Sequence, residues 1–177
     1  VNGILAGDSG IVAGDGNGIN SGGDRSVIGG GNNNSVSSAD SFIGAGNANI
    51  ISAGQYSVIA SGQSNSIAAT GGNAAIGGGA SNNIFAAADF ATIPGGRNNQ
   101  VTGSGTFMAG APSLTTNNDN GLPNMFVWGD TTGMQVSAVA TGTGSSAALA
   151  NTVWFGAGTG SVLNTTPVFT IFSGPVR

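Results

Sequence analysis

The chain has 177 residues, 34 of them Gly, with 6% charged residues, 39% hydrophobic residues and a formal net charge of −4. No apolar run approaches the roughly 20 residues a spanning helix needs, which excludes membrane insertion, and three Arg against seven Asp exclude nucleic acid as a partner. Lys, Glu, His and Cys are absent, so disulfides, thiolate chemistry, Schiff bases, histidine triads and the usual zinc sites are excluded, and no cofactor is implied.

Few charges combined with slightly positive mean hydropathy argue against disorder. Abundant Gly, Asn, Ser, Thr and β-branched residues, without long amphipathic stretches, predict an all-β chain of short strands and tight turns.

From the first residues a repeat Gly-x-x-Asn-x-(Ile/Val) dominates. Its Asn residues are Asn2, Asn17, Asn34, Asn49, Asn65, Asn82 and Asn99, at spacings of 15, 17, 15, 16, 17 and 17. Two residues after each stands Ile4, Ile19, Val36, Ile51, Ile67, Ile84 or Val101, and three before stands Gly14, Gly31, Gly46, Gly62, Gly79 or Gly96. A second aliphatic precedes each Asn by six residues: Ile11, Ile28, Ile43, Ile59, Ile76 or Ile93. This period is too short for a helical repeat and suits a coil of two short strands and two turns. The expectation is a parallel β-roll, or β-solenoid, of about seven coils over residues 1–111.

The Gly and Asn bracket a turn in which both are expected to take φ > 0, and stacked Asn side chains can bond into a ladder. In the leading strand, before the Asn, the inward residues are the Ile and, two earlier, Ser26, Ser41, Ser57, Ala74 or Ala91. Between them, facing outward by period-two alternation, are Val27, Phe42, Val58, Ala75 and Thr92. The trailing strand, after the Asn, shows Gly18, Ser35, Ile50, Ser66, Asn83 and Gln100 outward, a mostly polar face. A long solvated apolar stripe is a liability unless covered. Self-association along Val27, Phe42 and Val58 is the economical cover.

The units Ser26-Val27-Ile28-Gly29, Ser41-Phe42-Ile43-Gly44 and Ala74-Ala75-Ile76-Gly77 resemble the head repeats of trimeric autotransporter adhesins (YadA-like), which are also similar to repeats in phage and bacterial tail-fibre proteins. The resemblance covers residues 2–111 and implies three parallel β-rolls packed side by side as a homotrimer. It also implies an extracellular place, on a cell surface or a virion fibre. The coils here are longer than the family's usual period.

Residues 112–123 read as a connector, with a turn signal at Asn117-Asn118-Asp119-Asn120-Gly121. Residues 124–177 carry both Trp and strand-like runs at 125–128, 134–139, 152–155, 161–163 and 168–172, and predict a small antiparallel β tip domain. So small a unit is marginal alone and gains from support by a trimer.

Trp128 with Asp130, and Trp154, are the candidate ligand-binding residues, since Trp stacks on sugar rings while Asp accepts hydroxyl hydrogen bonds. Trp in a small β domain is more often core or interface. Asp24, Asp40 and Asp89 fall at one corner of the coil; they either cap the turn into the leading strand or, as Asp24 and Asp40 on adjacent coils, form a carboxylate pair of glycosidase type. The expectation is a non-enzymatic homotrimeric fibre or adhesin segment whose tip recognises a cell-surface glycan or protein. The competing one is a tailspike-like glycan depolymerase using Asp carboxylates.

Overall fold

A single coil offers one inward aliphatic from each of two short strands and cannot shield them from water, so coils must stack. A computed structural model describes residues 1–110, 117–118, 123–129, 134–137 and 152–155, and among them there is no helix. The fold is a β-solenoid of about seven turns, all-β, with parallel strands.

Two sheets run along the stack. The leading sheet joins Gly10–Ile11, Val27–Ile28, Phe42–Ile43, Val58–Ile59, Ala75–Ile76, Thr92–Ile93, Phe107–Gly110 and Met125–Gly129, every neighbour parallel. The trailing sheet joins Gly3–Ile4, Gly18–Ile19, Ser35–Val36, Ile50–Ile51, Ser66–Ile67, Asn83–Ile84, Asn99–Val101 and Asn117–Asn118, also in parallel. Register pairs each inward residue with its equivalent one coil on, so Ile28, Ile43, Ile59, Ile76 and Ile93 form one buried column. Ile19, Val36, Ile51, Ile67, Ile84 and Val101 form the other. At roughly 1.5–3 kcal/mol per buried aliphatic, these columns are the main apolar stabilisation of the stack. Met108 and Val127 carry the same core one and two coils further.

Seen from the polar side, the core is walled by the motif Asn. Asn17, Asn34, Asn49, Asn65, Asn82 and Asn99 are buried, and each from Asn17 to Asn82 ties three successive coils. Asn49 shows the pattern. Its backbone N–H and its Nδ2 both donate to Asn34 Oδ1 of the previous coil, at 3.0 and 3.1 Å. Nδ2 also donates to the Ala45 carbonyl of its own coil at 3.2 Å and to the Gly62 carbonyl of the next at 2.9 Å. Its Oδ1 in turn accepts the Asn65 N–H and Nδ2 at 3.1 and 3.0 Å. A shorter hydroxyl ladder serves the other buried corner: Ser41 N–H donates to Ser26 Oγ at 3.0 Å, and Ser26 Oγ donates to the Ser38 carbonyl at 2.9 Å. No buried side-chain N or O among the described residues lacks a partner.

The turn geometry differs from expectation at one position. The motif Gly does take positive φ, 91° at Gly31 and 111° at Gly46, and a Cβ on Gly46 would stand 2.1 Å from the Gly62 carbonyl oxygen. The motif Asn does not. The left-handed residue is the one before it, namely Gly16, Asn33, Ala48, Ser64, Ser81 and Asn98. The Asn is selected for its buried amide, and the preceding residue, exposed or half-buried, absorbs the backbone reversal.

From the leading Ile to the trailing aliphatic the separation is always eight residues: Ile11 to Ile19, Ile28 to Val36, Ile43 to Ile51, Ile59 to Ile67, Ile76 to Ile84 and Ile93 to Val101. All variation in period therefore falls in the opposite arc. That arc spans five residues from Val36 to Ser41, six from Ile51 to Ser57, and seven from Ile19 to Ser26, Ile67 to Ala74 and Ile84 to Ala91.

Past residue 110, Asn117–Asn118, expected within a turn, pair in parallel with Asn99 and Gln100, which puts Asn117 in register with the ladder. Met134–Ser137 then pairs antiparallel with Met125–Gly129 and with Thr152–Phe155, continuing the leading sheet. The strands expected at 161–163 and 168–172 lie outside the described residues.

Truncating a mid-stack ladder residue should be expensive. Asn49→Ala orphans the buried Asn65 N–H, at about 1–3 kcal/mol, and also removes the amide's bonds to Asn34, Ala45 and Gly62, the last of which keeps the Asn47 N–H as donor. We expect a loss of roughly 3 kcal/mol or more in denaturant unfolding, against no more than about 0.5 kcal/mol for the outward Ser66→Ala. Equal effects would contradict the ladder's structural role.

Candidate functional site

With inward positions committed to the stack, chemistry is left to the outward faces and the variable corner. Val27, Phe42 and Val58 lie in register on the leading sheet and are 37%, 41% and 37% exposed. The column extends further than the repeat alone indicates. Ala75 and Thr92 follow, then Phe107 and Phe126, whose rings stack at 5.1 Å with planes 4° apart. No charged residue interrupts it. The trailing face places Gly18, Ser35, Ile50, Ser66, Asn83 and Gln100 in one column, where Ile50 is the only large apolar side chain.

The acidic corner resolves into two arrangements. Asp24 Oδ1 accepts the Gly7 amide at 2.8 Å, and Asp89 Oδ1 accepts the Gly71 amide at 2.6 Å, so each caps the arc of the previous coil. Asp40 follows a five-residue arc and is one position out of phase, itself left-handed with φ 54°. Its carboxylate receives Arg25 in a two-pronged pair, Nε to Oδ1 at 2.7 Å and Nη2 to Oδ2 at 2.8 Å. The Arg25 guanidinium, chiefly through this hydrogen bond, holds the Asp40 carboxyl below its ordinary range. Asp24 and Asp40 are thus engaged with different partners. Among the described residues no group of three or more carboxylates could hold a metal ion.

Trp128 lies in the strand Met125–Gly129, in register with Ala109 and Met134, and Trp154 lies in Thr152–Phe155, in register with Gln135. Asp130 lies outside the described residues, as do the side chains of both Trp.

One feature of the surface is absent from the repeat arithmetic. The five-residue arc after Val36 is recessed between longer neighbours, and it forms the floor of an open groove of about 470 Å³. Gly22 stands on one side, Gln55, Tyr56 and Thr70 on the other, and Ser37 and Ser38 form the floor; no lining residue is charged. The unequal spacings of the ladder were the available signal for it.

Comparison with protein-family models, with curated proteins and with solved structures finds no match.

The Arg25–Asp40 pair sets a pH dependence. Because the folded Asp40 carboxyl titrates below its unfolded value, the pair contributes stability at neutral pH, and this is lost as pH falls through the folded pKa. The gap in thermal midpoint between the unaltered protein and Asp40→Asn should close on acidification and shrink in high salt, as for an exposed pair. A gap independent of both would refute the assignment.

Proposed function

We propose that the chain is a non-enzymatic, homotrimeric fibre or adhesin segment, extracellular on a cell surface or a virion, whose C-terminal tip recognises a cell-surface glycan or protein. One observation carries the assembly: the uncharged, mostly apolar column from Val27 through Phe42 and Val58 to Phe107 and Phe126 on a parallel sheet. Identical parallel chains set such columns against one another without opposing like charges, and each buried Val or Phe adds roughly 1.5–3 kcal/mol. The likeness of the Ser-Val-Ile-Gly and Ser-Phe-Ile-Gly units to YadA-like heads and tail fibres supports three copies.

Recognition is assigned to the tip, residues 124–177, read as a small antiparallel β domain. Its composition supports this reading: both Trp fall there, and Asp130 lies two residues from Trp128. Trp stacks on sugar rings and Asp accepts their hydroxyls. The Asp24–Asp40 hydrolase reading has the weaker support, since those carboxylates serve the Gly7 amide and Arg25.

Light scattering at micromolar concentration should give three times the 16.9 kDa chain mass. Phe42→Asp, which sets three carboxylates against apolar surface, should return it to one chain mass or unfold it. A monomeric unaltered chain would sink the assembly. For recognition, the full chain on an array of cell-surface glycans and glycoproteins should lose its signal on Trp128→Ala or Trp154→Ala. A signal indifferent to both would remove the tip from the reading.

A further inference from the structure

The left-handed corner residue just before each leading strand is Asp8, Arg25, Asp40, Tyr56, Asn73 or Phe90, with φ between 51° and 59°. For an L-residue this conformation costs about 1–2 kcal/mol, least for Asn and Asp. Asn73 shows the inexpensive choice one coil beyond Tyr56. Tyr56 instead keeps a bulky ring at φ 59° and leaves it 59% exposed, so burial does not offset the backbone cost. Packing within the protein therefore does not account for this residue.

The groove lining beside the ring is uniform in chemistry, while Arg25, within electrostatic reach of Tyr56 at the same corner, is already paired with Asp40. The groove offers hydroxyls, one amide, backbone groups and a single aromatic, with no charged side chain. Among the described residues neither the Gln55 side-chain amide nor the Tyr56 hydroxyl makes a hydrogen bond within the fold, so both remain available to a ligand. Ser37 Oγ already accepts Asn20 Nδ2 at 2.9 Å and keeps its own proton to donate. Thr70 Oγ1 donates to the Ala86 carbonyl at 2.8 Å and keeps its lone pairs to accept. Donors and acceptors thus converge beside one exposed ring face.

We propose that this groove is a binding subsite for a neutral saccharide, with one sugar ring stacked on Tyr56 and its hydroxyls bonded by Gln55, Ser37 and Thr70. The absence of a cation in the lining disfavours phosphorylated, sulfated and sialylated ligands, and the polar lining disfavours an acyl chain or apolar peptide. The stack holds the groove's walls in place before the ligand arrives, which limits the ordering cost of binding. The site lies on the flank of the solenoid and stands whether or not the tip binds anything.

Saturation-transfer NMR on the full chain with maltohexaose, cellohexaose, laminarihexaose and mannohexaose tests it. At least one should bind with a dissociation constant in the millimolar range or tighter. Tyr56→Asn, which suits the left-handed corner better, should weaken that binding at least tenfold while the thermal midpoint holds or rises. Gln55→Ala should weaken it several-fold. Phe90→Asn removes an equally exposed aromatic from the same corner, outside the groove, and should leave affinity unchanged. Failure of all four sugars to bind, or undiminished binding by Tyr56→Asn, or an equal loss with Phe90→Asn, would overturn the proposal. None of these outcomes bears on Trp128 or Trp154, so the groove and the tip stand or fall separately.

Discussion

Everything in this molecule depends on a buried primary amide that only neighbouring coils can satisfy. Asn49 Nδ2 reaches one carbonyl in its own coil, one in the next, and the amide oxygen of the previous Asn. In a dry interior such a group costs several kcal/mol if unpaired, so a coil displaced by one residue loses the bonds on both sides together. The constraint propagates outward from there. Gly46 must bring its Cα against the Gly62 carbonyl, which admits no Cβ. The segment from leading Ile to trailing aliphatic must keep one length, because it carries both the Gly and the Asn. Stability and register come from the same bonds.

A repeat held this tightly on one side concentrates its freedom on the other. Arcs of five, six and seven residues follow one another without disturbing the sheets, since their ends are pinned by the Ile columns and by the Ser ladder. The outward faces follow a different rule. Their residues are set by neither the core nor the ladder, yet on the leading sheet from Val27 to Phe126 they are uncharged and, Thr92 apart, apolar. An exposed, largely apolar and uncharged stripe of that extent is the kind of surface that marks an interaction site.

The sequence made legible whatever repeats with the ladder: the two Ile columns, the Gly at positive φ, the buried Ser and the outward column through Thr92. It misled where a residue's general preference stood in for its position. Asn tolerates the left-handed region well, so the reversal was assigned to the motif Asn, whereas it falls on the residue before, including Ala48. Asn117 was hidden because it follows Asn99 by 18 residues, with Leu114 where Gly would stand and Asp119 where an aliphatic would. Asp24 and Asp40 look alike as corner carboxylates, but they precede their Asn residues by ten and nine positions. That one-residue difference puts Asp40 in phase with Arg25, so one carboxylate caps an amide while the other pairs with Arg25. The groove is signalled only by the unequal spacings of the ladder, being a difference between arc lengths and not a property of any one residue.

The corner column before each leading strand sharpens this division between scaffold and variable surface. Its six described side chains are a carboxylate, a guanidinium, a second carboxylate, a phenol, an amide and a phenyl ring, all on nearly the same backbone conformation. Neither hydrophobic burial nor a buried hydrogen bond selects among them, and only Arg25 and Asp40 are explained by each other. A position that fixes the backbone and leaves the side chain free presents different chemistry every 4.8 Å or so along the axis. The coil spacing is close to the length of one sugar ring, and a stack that keeps strict register holds such groups at fixed intervals without any loop having to order on binding. The ladder that fixes the register of the stack therefore also fixes the spacing of the side chains along its flank.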